Sequence, residues 1–143
     1  MTVASILAAK GRDVLTTTPT RSVADAVAVL ARRRIGALVV VDEGDRIVGI
    51  VSERDIVRLI ATRDFDALEQ PVSAIMTKSV MTCSEGETIN SVMARMTRGR
   101  FRHLPVVGEG RLRGIVSIGD VVKARIEQVE HEADEMRSYI ATA

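Results

Sequence analysis

Two patterns of apolar residues occur along this chain of 143 residues, one continuous and one with helical spacing. Residues 37–41 are apolar throughout, which is typical of a strand that is buried on both faces. In residues 23–31 the apolar positions instead recur at helical spacing, and Ser22 precedes them as a candidate N-cap. The chain is therefore predicted to combine helices with buried strands.

The residues on either side of this strand complete a small unit. Residues 42–45 form a polar turn that contains Gly44, and residues 46–51 return as the partner strand. Near the start of the chain, a short helix is expected to end at Gly11, and a short strand to occupy residues 14–18. Ser52 is expected to start a helix that runs to about residue 62, with an apolar side formed by Ile56, Val57, Leu59 and Ile60.

The same order of elements occurs twice. Residues 49–55 read Gly-Ile-Val-Ser-Glu-Arg-Asp, and residues 114–120, 65 positions later, read Gly-Ile-Val-Ser-Ile-Gly-Asp. At a spacing one residue longer, residues 80–83 correspond to 14–17, residues 88–96 to 22–30 and residues 103–107 to 37–41. A repeat of this kind decides the architecture before any single residue is interpreted.

Each repeat is predicted to be a strand–helix–strand–strand–helix unit. Such a unit is too small to bury both faces of a three-stranded sheet alone, so the two units should pack on each other. We therefore expect an α/β (α+β) fold in which two βαββα repeats are related by pseudo-twofold symmetry and form one module. The first repeat is assigned to residues 1–67, the second to residues 68–126 and a C-terminal helical tail to residues 127–143.

Composition and charge narrow the possible functions. Hydrophobic residues make up 46% of the chain and charged residues 27%, which indicates a globular protein. The net charge of +1 provides no strong field for nucleic acid or a membrane. With aromatic residues at 2%, recognition of nucleic acid by base stacking is also disfavoured. We expect neither a nucleic-acid partner nor a membrane partner.

The cysteine count and the start of the chain indicate a compartment. Cys83 is the only cysteine, so no disulfide can form within the chain, and we expect this thiol to be buried. The first nine residues lack the basic start and long apolar stretch of a signal peptide. No apolar run approaches the ~18 residues of a membrane span. A cytoplasmic location follows as the default expectation.

Ser52 and Asp55, like their equivalents Ser117 and Asp120, allow two interpretations. As a capping box, the Ser and the carboxylate three residues later satisfy free backbone N–H groups at a helix start. As a ligand corner, the same helix N-terminus attracts phosphate, the hydroxyl adds a donor, and the Asp can accept hydrogen bonds from a ribose diol. The two interpretations are compatible, and the sequence leaves both open.

The order of these motifs resembles the cystathionine-β-synthase (CBS) domain family in its tandem-pair form. The resemblance covers roughly residues 5–123 and rests on residues 22–26, 36–42, 49–56, 102–107 and 114–121. Because no catalytic domain is attached, the chain looks like a stand-alone pair. The resemblance implies a non-enzymatic module with no required cofactor that binds an adenine nucleotide between its repeats. AMP is the first candidate, with ADP, ATP, NAD(H) and S-adenosylmethionine as alternatives.

The resemblance also implies two clefts at the seam between the repeats. In each cleft, the Ser-x-x-Asp element of one repeat would face the strand start of the other repeat. Carried over to this sequence, the first cleft would combine Ser52, Arg54 and Asp55 with Arg102 and His103, and the second would combine Ser117 and Asp120 with Ala37, Thr16 and Thr18.

The two clefts differ in charge. Gly119 stands where the first cleft has Arg54, and residues 36–37 are Gly-Ala where it has Arg102 and His103. Because Arg can hold phosphate through two hydrogen bonds, the Asp55 cleft is predicted to bind a phosphate-bearing ligand more tightly. The second cleft is expected to be weak, empty or suited to a less charged ligand. For His103, ligand contact and plain packing both remain open.

Two classes of function remain at this point. The first is a nucleotide-sensing homodimer that acts on an unidentified client protein, with Tyr139 and Ile140 packed on the partner subunit. The second is a structural or interaction protein of the same fold whose Ser-x-x-Asp elements are caps only. An enzyme is least favoured, because the sequence offers no nucleophile–base pair, metal constellation or Walker-type loop. Arg95, Arg98 and Arg100 are interpreted as a solvated helix end.

Overall fold

The first repeat has the predicted order of helices and strands. The structure is a computed structural model, and it describes residues 1–62 and 65–142. The elements of the first repeat are α1 (Val3–Lys10), β1 (Thr16–Thr17), α2 (Val23–Arg33), β2 (Ala37–Val41), β3 (Ile47–Ser52) and α3 (Glu53–Ala61).

The second repeat follows after two short 3-10 helices. These helices are Phe65–Glu69 and Val72–Ala74, and residues 63 and 64 before them lie outside the described residues. The mixed α/β class is confirmed. The elements of the second repeat are α4 (Ile89–Gly99), β4 (His103–Gly108), β5 (Arg111–Ser117) and α5 (Ile118–Thr142).

The sheet of the first repeat has β2 at its centre. β1 pairs with β2 in parallel, and β2 pairs with β3 antiparallel, with Val39 opposite Ile50. All five residues of β2 are buried, because neighbouring elements cover both faces of the strand. The prediction of a strand buried on both faces is confirmed.

The second repeat departs from the first at its opening strand. β4 and β5 pair antiparallel, but the strand predicted for residues 80–83 is wrong, because Cys83 makes only an isolated parallel bridge with Val106. The Cys83 N–H donates to the Pro105 carbonyl at 3.0 Å, and the Val107 N–H donates to the Cys83 carbonyl at 2.8 Å. Pro105 has no N–H to donate to the residues before Cys83, so the ladder stops there.

Each repeat receives its opening segment from the other repeat. Leu7 of α1 belongs to the core of the second repeat, whereas Val72 and Met76 belong to or pack against the core of the first. Backbone hydrogen bonds fix both crossings: the Val3 N–H donates to the Glu87 carbonyl at 3.0 Å. Residues 50 and 77 exchange two further bonds, at 2.9 and 3.0 Å. The sequence predicted the short helix before Gly11 but not the crossing of the opening segments between the repeats.

The glycine that opens each copy of the repeated motif makes room for this crossing segment. An ideal Cβ on Gly114 would lie 2.7 Å from Cδ2 of Leu7. An ideal Cβ on Gly49 would lie 2.5 Å from Sδ of Met76 and 3.1 Å from the Thr77 carbonyl oxygen. Any side chain at either position would therefore push the exchanged segment away from the sheet.

The predicted apolar side of α3 is only partly buried. Ile56 is 8% exposed and lies in the core, but Val57 is 64% exposed and Ile60 is 52% exposed. α5 has a similar exposed apolar face, and it continues to Thr142 without interruption. These faces are not needed for the core of a single chain.

Candidate functional site

A cavity of about 1070 Å³ lies at the seam between the two repeats. This volume is slightly above the roughly 300–1,000 Å³ that small-molecule sites occupy. Its walls come from the start of α3, the segment before Thr82, and the region between the end of α4 and the start of β4. All five residues predicted for the first cleft line this cavity: Ser52, Arg54, Asp55, Arg102 and His103.

Ser52 and Asp55 form a capping box at the start of α3. The Ser52 N–H donates to Asp55 Oδ2 at 2.8 Å, and the Ser52 hydroxyl donates to the same oxygen at 3.1 Å. The Asp55 N–H is 3.4 Å from the Ser52 hydroxyl oxygen. Within the described part of the chain, Asp55 Oδ1 has no hydrogen bond. The capping interpretation is thus confirmed, and one carboxylate oxygen remains available to a ligand.

The opposite wall begins with His103, the first residue of β4. His103 lies opposite Ser117 in the β4–β5 register, just as Ala37 lies opposite Ser52 in the first sheet. Its imidazole approaches Gly36, where an ideal Cβ would be 2.9 Å from both Cε1 and Nε2 of the ring. The strand starts of the two repeats therefore meet at His103.

Burial favours the neutral form of the His103 imidazole. Loss of contact with water lowers the pKa of His103 below its ordinary value, and the charges of Lys10 and Arg102 act in the same direction. Glu53 and Asp120 oppose this shift without reversing it. A neutral imidazole can donate one hydrogen bond and accept another at the seam.

The cavity is strongly basic. Six arginines line it, whereas Glu53 and Asp55 are its acidic residues. The Arg54 Nη1 donates to the Arg100 carbonyl oxygen at 3.1 Å, so this side chain joins α3 to the end of α4 across the seam. The arginines that line the cavity are Arg54, Arg58, Arg95, Arg98, Arg100 and Arg102.

The interpretation of Arg95, Arg98 and Arg100 as a solvated helix end holds for Arg98 and Arg100, which are exposed, but needs correction for Arg95. Arg95 is partly buried, and its guanidinium lies 2.8 Å from Glu87 Oε1 and 2.7 Å from the Thr82 carbonyl oxygen. Arg98 and Arg100 are exposed but face the cavity, and within residues 1–62 and 65–142 their side chains have no ion pair. Arg100 has φ 56°, and this left-handed residue ends α4 and turns the chain toward β4.

Sequence reasoning also missed the wall formed by the segment after the second 3-10 helix. Thr77, Ser79, Val80 and Met81 line the cavity opposite the start of α3. The signal available in the sequence was the position of this segment, because it precedes residues 82–84, which correspond to residues 16–18 on the spacing of the repeats. The apolar members supply an aliphatic surface.

The second predicted cleft does not have the predicted lining. Asp120 borders a cavity of about 130 Å³ formed by α1 and α5, and its lining lacks the other residues predicted for this cleft, which are Ser117, Ala37, Thr16 and Thr18. Ala37 is buried within β2, while Thr16 and Thr18 are exposed. The crossing of α1 explains the difference, since it brings Lys10 to the place expected for a ligand.

Lys10 forms a salt bridge with Asp120, the capping carboxylate of the second repeat. Its Nζ lies 2.6 Å from Asp120 Oδ2 and also donates to the Ile115 carbonyl oxygen at 3.0 Å. Asp120 forms the same cap as Asp55, accepting from the Ser117 N–H at 2.9 Å. Burial raises the pKa of the Asp120 carboxyl, but the hydrogen bonds from Lys10 and Ser117 outweigh this and hold the pKa below its ordinary value.

Among residues 1–62 and 65–142, no group of three His, Cys, Asp or Glu side chains is arranged to hold a metal ion. In the same ranges, none of the helices combines the length and apolar character that crossing a membrane requires.

Comparisons of sequence and of structure with known proteins identify the same family. The family model described as CBS domain matches residues 5–62 and 72–127. A CBS-domain containing protein from Agrobacterium tumefaciens is similar in structure, with a TM-score of 0.85, 47% identity and coverage of 87% of this chain and 99% of that one. The CBS domain pair of protein MJ0100, in complex with 5′-methylthioadenosine and S-adenosyl-L-methionine, has a TM-score of 0.79 and 27% identity over 90% of this chain and 98% of that one.

Similarity in sequence extends over nearly the whole chain. A mitochondrial CBS domain-containing protein from Arabidopsis thaliana, CBSX3, is 33% identical over 147 aligned positions that cover 97% of this chain and 71% of that protein. The chain spans 65% of the length of another curated relative.

Proposed function

The chain belongs to the CBS domain family, and from this premise we propose that it is a non-enzymatic regulatory module that binds an adenine nucleotide in the cavity at the seam. The observation that carries the proposal is the position of the available Asp55 oxygen at a helix N-terminus, in a cavity lined by six arginines. A carboxylate that accepts from a diol, beside cations that hold phosphate, matches the two ends of a ribose phosphate.

Each part of a nucleotide has a chemically matched wall in this proposal. The ribose hydroxyls donate to Asp55 Oδ1, and the phosphate accepts from the backbone N–H of Arg54 in the first turn of α3 together with the side chains of Arg98 and Arg102. The base lies against Ile50 and Val80, because aliphatic side chains take the place of stacking aromatics in this wall. The adenosine moiety of both ligands bound by the MJ0100 pair supports this class.

The identity of the phosphorylated ligand depends on how many arginines are engaged. AMP is the first candidate by family resemblance. Arg58, Arg98 and Arg102 have no ion pair within the described residues, so the cavity also has cationic capacity for the longer phosphate chains of ADP and ATP. NAD(H) and S-adenosylmethionine complete the set to be compared.

We further propose that the nucleotide acts by changing the relative arrangement of the repeats in a cytoplasmic homodimer, which a client protein then recognises. A ligand can shift such an arrangement only if it binds one form more tightly. We expect a nucleotide that contacts both walls of the seam to bind most tightly to the arrangement whose spacing matches its length. Arg54 already joins the walls through the Arg100 carbonyl, so this contact is the natural place for the change.

A thermal-shift panel with AMP, ADP, ATP, NADH and S-adenosylmethionine tests the ligand. At 100 times its dissociation constant, the bound nucleotide should stabilise the protein by ~2.7 kcal/mol. Asp55→Asn should abolish this gain, because the amide keeps a capping oxygen but loses the charge that accepts from the ribose. Asp120→Asn is the matched control, since Asp120 forms the same cap but does not line the cavity. Absence of any shift with all five compounds would contradict the proposal.

A second candidate function is an interaction protein of the same fold without a nucleotide. The observation that favours it is the exposed apolar surface of α3, where Val57 and Ile60 are 64% and 52% exposed. In that case Ser52→Ala would reduce stability by about 1 kcal/mol through loss of the cap and change no ligand response. The panel above separates the two functions.

A further inference from the structure

The C-terminal part of α5 carries an apolar face that no described residue covers. The buried residues of this helix are Val121 and Ala124, although the helix continues to Thr142. At ~1.5 Å per residue, the part beyond Ala124 is roughly 27 Å long. Met136 is 61% exposed and Ile140 is 67% exposed. Large apolar side chains exposed together in this way indicate an interaction surface.

The apolar positions of this face follow the heptad spacing of a coiled coil. They recur at intervals of four, three, four, three and four residues, which is a period of 3.5. Val121 and Ala124 fall at other heptad positions, so the helix contacts its own repeat with a different face. We call these six residues the α5 seam: Val122, Ile126, Val129, Ala133, Met136 and Ile140.

The charged residues beside the α5 seam favour a parallel orientation of two α5 helices. In a parallel pair of helices, the residue before each a position lies near the e position five residues later on the other helix. With Ile126, Ala133 and Ile140 at a, this rule places Arg125 of each chain opposite Glu130 of the other. It also places Glu132 of each chain opposite Arg137 of the other. A twofold pair therefore gains four contacts between opposite charges.

The antiparallel alternative gathers like charges. An antiparallel alignment that overlaps the whole α5 seam brings Glu130 opposite Glu130 and Glu132 opposite Glu132. It also brings Lys123 opposite Arg137. Within one chain, Arg125 contacts Gln128 at 3.2 Å, and Arg137 forms an exposed pair with Asp134 at 3.2 Å. Exposed pairs of this kind are weak, so they do not prevent the arginines from engaging a second chain.

We propose that two copies of this chain pair their α5 helices in parallel along the α5 seam. Ile126 and Ile140 at a positions are β-branched, as parallel two-stranded coils favour, and the small Ala133 between them lets the helices approach closely. The arrangement goes beyond the proposed ligand function and gives the proposed homodimer a contact and a direction. It places the second repeats of the two chains side by side.

Disulfide formation tests the contact. Met136→Cys should give a covalent dimer under mild oxidation, because identical d positions face each other in a parallel coil. Ser138→Cys, at the f position on the opposite side of the exposed helix, is the matched control and should remain mostly monomeric on denaturing gels. Burial raises the pKa of Cys83 to about 12, so the native thiol contributes no background. Equal yields from the two variants would overturn the proposal.

The direction is tested by mixing two variants. In the antiparallel alignment residue 126 of one chain faces residue 136 of the other, so a mixture of Ile126→Cys and Met136→Cys chains would then form mainly the mixed covalent dimer. The parallel coil predicts instead that each variant forms its own dimer in preference to the mixed one. A predominance of the mixed dimer would overturn the parallel arrangement.

Light scattering and charge exchange test the assembly in solution. The wild-type protein should have twice the 15.5 kDa mass of one chain. Glu132→Arg should weaken the dimer about tenfold, because two attractive contacts become repulsive. The double variant Glu132→Arg with Arg137→Glu should restore the dimer. A monomeric wild type, a larger assembly or a Glu132→Arg variant of unchanged affinity would each overturn the proposal.

These outcomes are independent of the ligand proposal. The α5 seam does not border the nucleotide cavity, so the Cys variants should keep the thermal shift given by the nucleotide. Conversely, Asp55→Asn should lose that shift and still dimerise. Failure of one proposal is therefore distinguishable from failure of the other.

Discussion

At the scale of single residues, His103 connects the two repeats. Its ring lies against Gly36, it starts β4, and its pKa responds to Glu53 of one repeat and Asp120 of the other. Because burial lowers the pKa of this imidazole, the folded protein disfavours the charged form. An anionic ligand in the same cavity would favour the charged form of His103.

The stability of the ligand-free protein should therefore fall as the pH is lowered from about 7.5 to 5.5. Below the unfolded-state pKa of about 6.5, the unfolded chain binds a proton at His103 that the folded chain does not yet bind. The loss stops once the pH passes the lowered folded pKa. Urea unfolding at several pH values measures the slope. His103→Gln should flatten it. An unchanged slope in His103→Gln would contradict this assignment.

The residues of the cavity were predictable to different extents. The repeated motif and the resemblance together indicated Ser52, Asp55 and His103, because their spacing along the chain sets their place at strand and helix ends. Arg98 and Arg100 were missed, since periodicity identifies where a helix ends but not which wall that end approaches. The left-handed turn at Arg100, which decides this, has no distinctive residue in the sequence.

At the scale of helices and strands, exchange of the opening segments has a direct consequence for the glycines of the motif. Gly114→Ala should destabilise the protein by about 1–3 kcal/mol, because the new methyl group would meet Leu7 of α1. Chemical denaturation measures the loss. Gly86→Ala is the matched control, because a Cβ there meets no atom within 4 Å.

A double variant identifies the contact. Leu7→Ala leaves space for the added methyl group, so Gly114→Ala should cost less in that background than in the wild type. Additive losses would show that the glycine is required for another reason.

The absence of a strand at residues 80–83 of the second repeat was also partly predictable. Residues 80–83 have the β-branched and apolar character of their equivalents, and this similarity predicted a strand. Pro105 was visible in the sequence, and Val39 stands at the equivalent position of the first repeat. The lack of a donor at Pro105 matters only for the strand that pairs on that side, and the sequence alone does not identify that strand.

At the scale of the whole molecule, the repeats complete each other's cores. Fragments 1–67 and 68–143 should each be largely unfolded, because the first lacks Val72 and Met76 and the second lacks Ile6 and Leu7. Mixed together, the fragments should recover the helical circular dichroism and a cooperative thermal transition. A cooperative transition in either fragment alone would contradict this dependence.

The packing of two similar halves was predictable, because each predicted unit was too small to fold alone. The exchange between halves was not, since a short apolar helix has the same pattern whichever sheet it covers. The consequence for the second cleft was equally hidden: Lys10 reaches Asp120 only because α1 crosses.

The exchanged segments also limit how a nucleotide can enter. Thr77 lines the cavity and is bonded through its backbone to Ile50 of the first repeat, whereas Cys83 is bonded to Pro105 and Val107 of the second. Residues 78–82 therefore span the seam beside the cavity and restrict how far the repeats can separate. We expect a nucleotide to enter by displacing residues 79–81 and the arginine side chains at the rim, so that the tethered repeats respond to it by a small rotation and not by opening.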